Sequence, residues 1–231
     1  MLNKIKKELQ SNGNPEKAKI LSGFFKTGKG QYGEGDIFLG IIVPKTREIA
    51  NKYVDLNFKD IQRLVLSKIH EERMAALMIL VEKYKKSDLK DKKLIVDFYL
   101  QNAEKVNNWD LVDLSADKIL GDYLIDKDKS ILYKLAKSEN LWEKRIAVVS
   151  TFAFIKNNQF NDTVKISEIL LNDNHDLIHK AVGWMLREVG KRDEKELLKF
   201  LDRYYKQMPR TTLRYTVERL DKKKKEFYMR K

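Results

Sequence analysis

Cysteine is absent from this chain of 231 residues. That absence excludes disulfides, thiol nucleophiles, iron–sulfur clusters and cysteine-ligated zinc. There are only three histidines, and two of them, His175 and His179, have the i, i+4 spacing of a metal-binding pair. No Glu follows His175 as it does in the zincin motif. We therefore expect neither a metal nor any other cofactor.

Long apolar runs and prolines are also scarce. No segment approaches the roughly 18 apolar residues of a membrane span, and the first residues lack the apolar stretch of a signal peptide. We therefore expect a cytoplasmic protein that makes no membrane contact. Only three prolines interrupt the chain, and several of its ten glycines gather in residues 28–36. That cluster is the one long loop that the sequence indicates.

Apolar residues recur at spacings of three and four along most of the chain, which indicates amphipathic helices. Strand-like alternation is confined to residues 37–43, which we expect to be extended or a short helix before a helix start at Pro44. Four related segments, separated by 72, 35 and 34 residues, begin at Arg73, Arg145, Lys180 and Arg214. A period near 35 residues predicts one all-α domain over residues 1–231. Its predicted fold is an α-α superhelix, or solenoid, of about six HEAT-like helix pairs.

Positive charge exceeds negative charge, since 47 Lys and Arg against 34 Asp and Glu give a net charge of +13. Such an excess favours polyanionic partners. If the second helices of the predicted pairs stack in register, basic residues near their starts line one concave face and contact the DNA backbone. The residues expected there are Arg73, Arg145, Lys180, Arg187 and Arg214. The lysine run at 222–225 is interpreted instead as a solvated helix end, whose charge suits a helix C-terminus.

Three tryptophans each lie about one helical turn from a charged residue, and residues at that spacing share a helix face. Trp142 is interpreted as a core residue because it follows an apolar residue at a helix start. For Trp109 and Trp184, core packing and a binding surface both stay open, since each shares its face with charges. The three groups are Trp109 with Asp113, Trp142 with Arg145, and Trp184 with Lys180 and Arg187.

Asp113 is the strongest candidate for a catalytic residue. It lies in a mostly apolar predicted helix, one turn from Trp109. A carboxylate beside an indole face suits a cationic reaction centre, and glycosidic cleavage passes through an oxocarbenium-like centre of that kind. An alternative stays open, in which Asp113 pairs with Arg145 and locks two adjacent repeats together. The two interpretations are compatible, because an Arg neighbour keeps the carboxylate ionised.

Four segments carry a resemblance to a known family. They read FFKTGKGQYGEGDIFLG at 24–40, NNWDLVD at 107–113, LWEKRIA at 141–147 and KAVGWMLRE at 180–188. Together, and in this order, they resemble motifs of the bacterial DNA alkylation repair family, the AlkD-like DNA glycosylases, over about residues 15–220. The resemblance implies stacked HEAT-like helix pairs with a basic concave groove for DNA. It also implies excision of N3- and N7-alkylated purines.

The resemblance further implies roles for individual residues. Trp109 and Trp184 would flank the lesion. Asp113 would be the catalytic carboxylate, and Arg145 would hold the DNA backbone near it. The long glycine loop departs from the best-known branch of the family. It therefore stays open which aromatic takes the DNA-facing place near the N-terminus, and the candidates are Phe24, Phe25 and Tyr32.

The sequence therefore predicts a monomeric, monofunctional DNA glycosylase that hydrolyses the N-glycosidic bond of cationic alkylpurines in double-stranded DNA. In this hypothesis Asp113 stabilises the oxocarbenium-like sugar and orients water, without a covalent intermediate. Whether the damaged base is flipped out of the helix stays open. Two alternatives stay open as well: a catalytically silent HEAT-repeat protein that binds nucleic acid, and a HEAT scaffold that binds proteins.

Overall fold

The computed structural model describes residues 1–230, and helices dominate it. Among these residues the one β pairing is an isolated parallel bridge between Ile37 and Ile69. The all-α prediction is therefore confirmed. None of the described helices has both the length and the apolar character needed to cross a membrane.

Contacts between residues divide the chain into two compact units, with the boundary between Ser115 and Ala116. The first unit contains seven α-helices, a 3₁₀ turn and the glycine-rich loop. That the chain forms one domain over residues 1–231, with about six helix pairs, stays a prediction. The helices are α1 (Leu2–Ser11), α2 (Pro15–Phe24), α3 (Val43–Asn51), α4 (Phe58–Val65), α5 (His70–Lys86), α6 (Leu89–Gln101) and α7 (Trp109–Ser115), with the 3₁₀ turn at Ala103–Lys105.

Helix α5 is the centre of the first unit. It packs against α1, α3, α4, α6 and α7. Thirteen of its 17 residues are buried, so it has no broad polar face. Its first turn buries four ionisable side chains, which must be paired because an unpaired buried charge is costly. These residues are His70, Glu71, Glu72 and Arg73.

Residues 37–42, between the glycine-rich loop and α3, form an extended segment that Glu71 holds in place. The Glu71 carboxylate accepts the backbone N–H groups of residues 39, 40 and 41 at 2.9, 2.8 and 3.2 Å. Gly40 has a φ of +82°, and a Cβ there would lie 2.1 Å from the carbonyl oxygen of Asn14. Only glycine fits this position without strain. Pro44 lies in the first turn of α3, as the sequence predicts.

The second unit contains eight α-helices among the residues that the structure describes, and a π-helical turn at Asp117–Gly121 precedes them. Helix α10 packs against α9, α11 and α12, and α12 packs against α13 and α14. The repeated segments that begin at Arg145, Lys180 and Arg214 therefore lie in three helices that contact one another in order. The helices are α8 (Asp122–Leu124), α9 (Ser130–Ala136), α10 (Leu141–Lys156), α11 (Asn161–Ile169), α12 (Asp176–Gly190), α13 (Glu194–Tyr204), α14 (Arg210–Thr216) and α15 (Lys222–Met229).

Gly183 allows α12 and α14 to approach closely. A Cβ at this position would lie 2.6 Å from the Cβ of Tyr215 and 2.7 Å from the carbonyl oxygen of Thr212. Both distances are below any normal contact, so a larger residue would force the helices apart. The next residue, Trp184, lies on a helix whose position depends on this close packing.

The lysine run at 222–225 lies in the first turn of α15, so its interpretation as a helix C-terminus is wrong. Positive charge at a helix N-terminus is unfavourable for the helix dipole. Asp221 offsets it, because its side chain caps the helix at the Lys224 backbone N–H. The Lys224 ammonium also lies 2.8 Å from Asp221 and 2.7 Å from Glu194. Those two carboxylates raise the pKa of Lys224.

We predict that Glu71→Ala strongly destabilises the protein. The substitution leaves three backbone N–H groups of the extended segment without their acceptor. The free energy of unfolding should fall by about 2–4 kcal/mol, because each buried donor left unpaired costs ~1–3 kcal/mol. The matched control is Glu82→Ala on the same helix, which removes only a partly exposed pair with Lys85 and should cost less than about 0.5 kcal/mol. Equal losses in urea unfolding would contradict this role for Glu71.

Candidate functional site

Helix α7 presents the two residues of the first unit that sequence reasoning favours most. Asn108 caps its start, with its side-chain oxygen accepting the Trp109 backbone N–H at 2.8 Å. At the other end the Ser115 and Tyr99 hydroxyls are 3.0 Å apart. The buried face of α7 packs on α5, and Trp109 and Asp113 remain partly exposed. Their spacing of four residues in an α-helix places them on one face.

The Trp109 indole is the outer ring of an aromatic stack. It lies on Phe25, with ring centroids 5.2 Å apart and planes 20° apart. Phe25 lies on Phe38 at 5.0 Å, and Phe38 lies on the His70 imidazole at 4.4 Å. Phe24 meets the edge of Trp109 at 6.0 Å, and its side chain is 63% exposed. The indole is therefore backed by a continuous stack of rings.

The exposure of these rings bears on the open choice of the DNA-facing aromatic. Phe25 is buried within the stack, whereas Phe24 is exposed beside Trp109. Tyr32 is partly exposed in the glycine-rich loop. Of the three candidates, Phe24 is thus the ring that combines exposure with contact to Trp109.

At the inner end of the stack, His70 lies between two carboxylates. Its Nε2 is 2.9 Å from Asp110 Oδ2, and its Nδ1 is 3.4 Å from Asp36 Oδ2. Arg73 Nη2 is 2.6 Å from the same Asp36 oxygen. Arg73 Nη1 also donates to the backbone carbonyl of Ser67 at 2.8 Å. We call Asp36, His70, Arg73 and Asp110 the buried charge cluster.

The environment of His70 favours the imidazolium form. Burial alone lowers the pKa of His70, but the hydrogen bonds to Asp110 and Asp36 outweigh it, so the pKa is raised above the ordinary 6.5. Arg73 opposes this effect through its own positive charge. A neutral imidazole carries one N–H, whereas an imidazolium carries two and can donate to both carboxylates.

An apolar cavity of about 400 Å³ lies in the first unit beside the stack. Its walls come from α2, the extended segment and α5, and they include Phe24, Phe25 and Met74. Asp110 and His70 also contribute to its lining. The cavity therefore shares residues with both the stack and the buried charge cluster.

In the second unit, Trp184 is partly exposed on α12, and its ring centroid lies 5.8 Å from that of Phe152. The Lys156 ammonium lies over the Phe152 ring at 4.2 Å. Trp142 is 7% exposed, which confirms its interpretation as a core residue. The second unit therefore presents one tryptophan, Trp184, at a surface that also carries positive charge.

The basic residues expected along the DNA backbone differ in their surroundings. Arg73 is buried and paired with Asp36, so its guanidinium is not available to a phosphate in this structure. Arg145 is also buried, and its Nη1 donates to the carbonyl of Leu177 at 2.6 Å. Its pairing with Asp113 stays a prediction, because the two residues belong to different units.

The other three expected backbone contacts retain some exposure. Lys180 lies 2.7 Å from Asp176 with its side chain 39% exposed. Arg187 pairs with Glu218 and is 18% exposed. Arg214 is exposed near the Tyr215 ring. Their phosphate contacts stay predictions.

The two histidines of the second unit serve the start of α12. The His175 Nδ1 accepts the Leu177 backbone N–H at 3.1 Å, which caps the helix. His179 bonds to the backbone carbonyl of Asp173. Burial lowers the pKa of His175, which keeps its ring neutral and able to accept. No group of three or more potential metal ligands lies together in residues 1–230.

Sequence reasoning missed the buried charge cluster. Asp36 ends the glycine-rich loop, His70 begins α5, and Asp110 follows Trp109. These positions lie 34 and 40 residues apart, and no periodicity links them. The available signal was the density of ionisable residues at the start of an otherwise apolar helix, since buried charges require partners.

Comparison with known proteins identifies a family and a similar fold. Residues 5–220 match the family model described as DNA alkylation repair enzyme. No curated protein matches the chain. A solved structure described as a predicted DNA alkylation repair enzyme from Enterococcus faecalis is similar in fold, with a TM-score of 0.70 and 17% sequence identity. The match covers 91% of this chain and 98% of that one.

We predict that His70 makes the stability of the protein depend on pH. Because its pKa is raised above 6.5 in the folded protein, its stabilisation is complete below pH 6.5 and is lost as the pH rises through the folded-state pKa. Urea unfolding should show a free energy of unfolding that declines as the pH rises above about 6.5. The decline should flatten in His70→Gln.

His175→Gln is the matched control for this prediction. Because the pKa of His175 is lowered, its contribution is present above pH 6.5 and is lost as the pH falls. That variant should keep the wild-type decline on the alkaline side. A decline that persists unchanged in His70→Gln would show that another group causes it.

Proposed function

Because the chain belongs to the DNA alkylation repair enzyme family, we propose that it is a monofunctional DNA glycosylase for positively charged N3- and N7-alkylated purines. Family membership supports a role in alkylation repair with DNA as the partner. The observation that carries the finer proposal is on α7. A partly exposed indole, backed by a stack of rings, shares a helix face with a partly exposed carboxylate.

The chemistry of the lesion fits this pair of groups. Alkylation at N3 or N7 gives the purine a positive charge, which weakens its glycosidic bond. The face of the Trp109 ring attracts a cation. The Asp113 carboxylate stabilises the oxocarbenium-like sugar that develops as the bond breaks. The indole therefore acts on charge that the damaged base carries and the undamaged base lacks, and the carboxylate acts on charge that develops on the sugar.

The proposed reaction is a hydrolysis without a covalent enzyme intermediate. As the C1′–N bond breaks, the purine keeps the bonding electron pair and leaves as a neutral base. Asp113 orients a water molecule whose oxygen bonds to C1′, and the proton of that water passes to solvent. The products are the free alkylpurine and an abasic site in the DNA. Trp184 of the second unit is proposed as a second aromatic contact to the lesion.

Contacts to the DNA backbone supply the proposed affinity. The net charge of +13 favours a polyanion. Arg73 and Arg145 are buried, so the proposal assigns most phosphate contacts to the exposed cations, among them Lys180 and Arg214. Such contacts hold DNA without reading its sequence.

We predict that Asp113→Asn abolishes base release and leaves DNA binding intact. The substitution is nearly isosteric, so it removes charge rather than shape. Loss of a preorganised electrostatic partner typically lowers the rate ~10²–10³-fold. The measurement is single-turnover release of methylated purine from alkylated duplex DNA, together with the Kd for the same duplex.

Asp97→Asn is the matched control for that experiment. Asp97 is a partly exposed carboxylate on α6 that pairs with Lys93 of the same helix, so its loss should leave the release rate unchanged. Release at the wild-type rate from Asp113→Asn would remove Asp113 from the mechanism. Absence of release from the wild-type protein, with binding retained, would favour the silent nucleic-acid-binding alternative.

We also predict that DNA binding weakens steeply with salt and depends little on sequence. With ~6 phosphate contacts, affinity should fall on the order of 10³-fold between 50 and 200 mM salt. Each Lys or Arg side chain that binds a phosphate releases counterions from the duplex, and added salt opposes that release. Fluorescence anisotropy with two unrelated duplexes measures both properties. A flat salt dependence would point to the protein-binding scaffold instead.

A further inference from the structure

We propose that His70 is a positioning residue for base excision. Held between Asp36 and Asp110, its imidazolium fixes the first turn of α7 and thereby the orientation of Trp109 and Asp113. This inference rests on the proposed function, since it assigns to His70 the placement of the groups that act on the lesion. His70 itself is buried, so it acts through its neighbours.

The burial of Asp110 depends on its contact with His70. The Asp110 side chain is 13% exposed, and its Oδ2 is bonded to His70 Nε2. Its Oδ1 is buried and makes no hydrogen bond within the described residues. Asp36, by contrast, also has the Arg73 guanidinium at 2.6 Å. The bond to His70 is therefore the interaction that offsets the burial of the Asp110 carboxylate.

Few other polar side chains hold the start of α7 in place. Asn108 caps the helix through its side-chain oxygen, but its side-chain nitrogen is buried without a hydrogen-bond partner in the described chain. The side-chain oxygen of Asn107 is also buried without a hydrogen-bond partner in the described chain. Unpaired buried polar groups store strain rather than hold a segment in place. The contact between His70 and Asp110 is thus the main polar connection from α5 to the first turn of α7.

A stack of aromatic rings also connects His70 to the Trp109 indole. Phe38 lies flat on the imidazole, and the Phe25 ring is 5.3 Å from it. Phe25 in turn carries the Trp109 ring. His70 therefore supports Trp109 through a hydrogen bond to the next residue and through a stack of rings. Asp113 follows one turn later on the same short helix.

The contacts of His70 depend on the protonation of its imidazole. The groups that face His70 are the carboxylates of Asp36 and Asp110, the guanidinium of Arg73, and the apolar rings of Phe25 and Phe38. Loss of one proton leaves a lone pair on one ring nitrogen facing a carboxylate oxygen. That repulsion loosens either the loop end or the start of α7. Base excision should therefore decline on the alkaline side as His70 deprotonates.

The test is the pH profile of single-turnover base release, measured together with an NMR titration of His70. For wild type, the alkaline decline in rate should have the same midpoint as the His70 imidazole signal, above pH 6.5. His70→Gln keeps a donor toward Asp110 but cannot titrate. Its rate should be roughly tenfold to hundredfold lower, as expected for misplaced reacting groups, and flat with pH, while the Kd for DNA stays at the wild-type value.

Two further variants separate positioning from general stability. Asp110→Asn removes the charge that favours the imidazolium, so the alkaline decline should move to lower pH. Glu71→Gln weakens the neighbouring extended segment and leaves Asp36, Asp110 and Arg73, which act on His70, unchanged, so it should lower stability and keep the wild-type midpoint. An alkaline decline in rate that persists in His70→Gln would overturn the proposal. It would also be overturned if Asp110→Asn left the midpoint of that decline unchanged.

An NMR readout distinguishes failure of this inference from failure of the proposed function. The indole N–H signal of Trp109, assigned by its absence in Trp109→Phe, should shift with the His70 midpoint in the free protein. If wild type releases no base at any pH, the glycosylase proposal has failed, and a Trp109 signal that follows His70 still supports the structural coupling. A Trp109 signal that does not respond to His70 refutes positioning whatever the activity.

Discussion

Burial of charge at the start of α5 is the constraint on which the first unit depends. A helix that is surrounded by other helices has no route to water for its first turn, yet four ionisable residues lie there. Each must find an opposite charge or a set of donors from another segment. Lys6 of α1 meets Glu72 at 2.7 Å, and the loops and α7 supply the other partners. The pairing requirement therefore joins segments that the apolar core alone would leave less well defined.

The helical architecture could be predicted because it depends on local patterns. Apolar spacing and Pro44 at a helix start reflect interactions within one or two turns, and the structure contains helices at these places. The lysine run at 222–225 was misplaced because solvated lysines carry no apolar periodicity. Their helix begins where Asp221 caps it, and a single capping residue is a weak signal beside a run of four like charges.

The candidate site was predicted only in part, for a physical reason. Trp109 and Asp113 are four residues apart on one helix, so their shared face follows from sequence. The partners of the indole and of the following Asp110 come from residues 24 to 70, brought in by tertiary packing. A sequence gives the residue types in such a cluster but not the distances between them. The expected exposure of Arg73 failed for the same reason, since Asp36 draws its guanidinium into the interior.

The glycine-rich loop has a practical consequence that follows from its anchored ends. The Gly33 backbone bonds to Lys26 at one side, and Asp36 lies in the buried charge cluster at the other, while Lys29 at the tip is exposed. Because the natural chain has no thiol, a cysteine introduced at Lys29 would be its single site for a maleimide dye. Such a dye would report from the same unit as Trp109. The loop thus offers a built-in attachment point for following DNA engagement in real time.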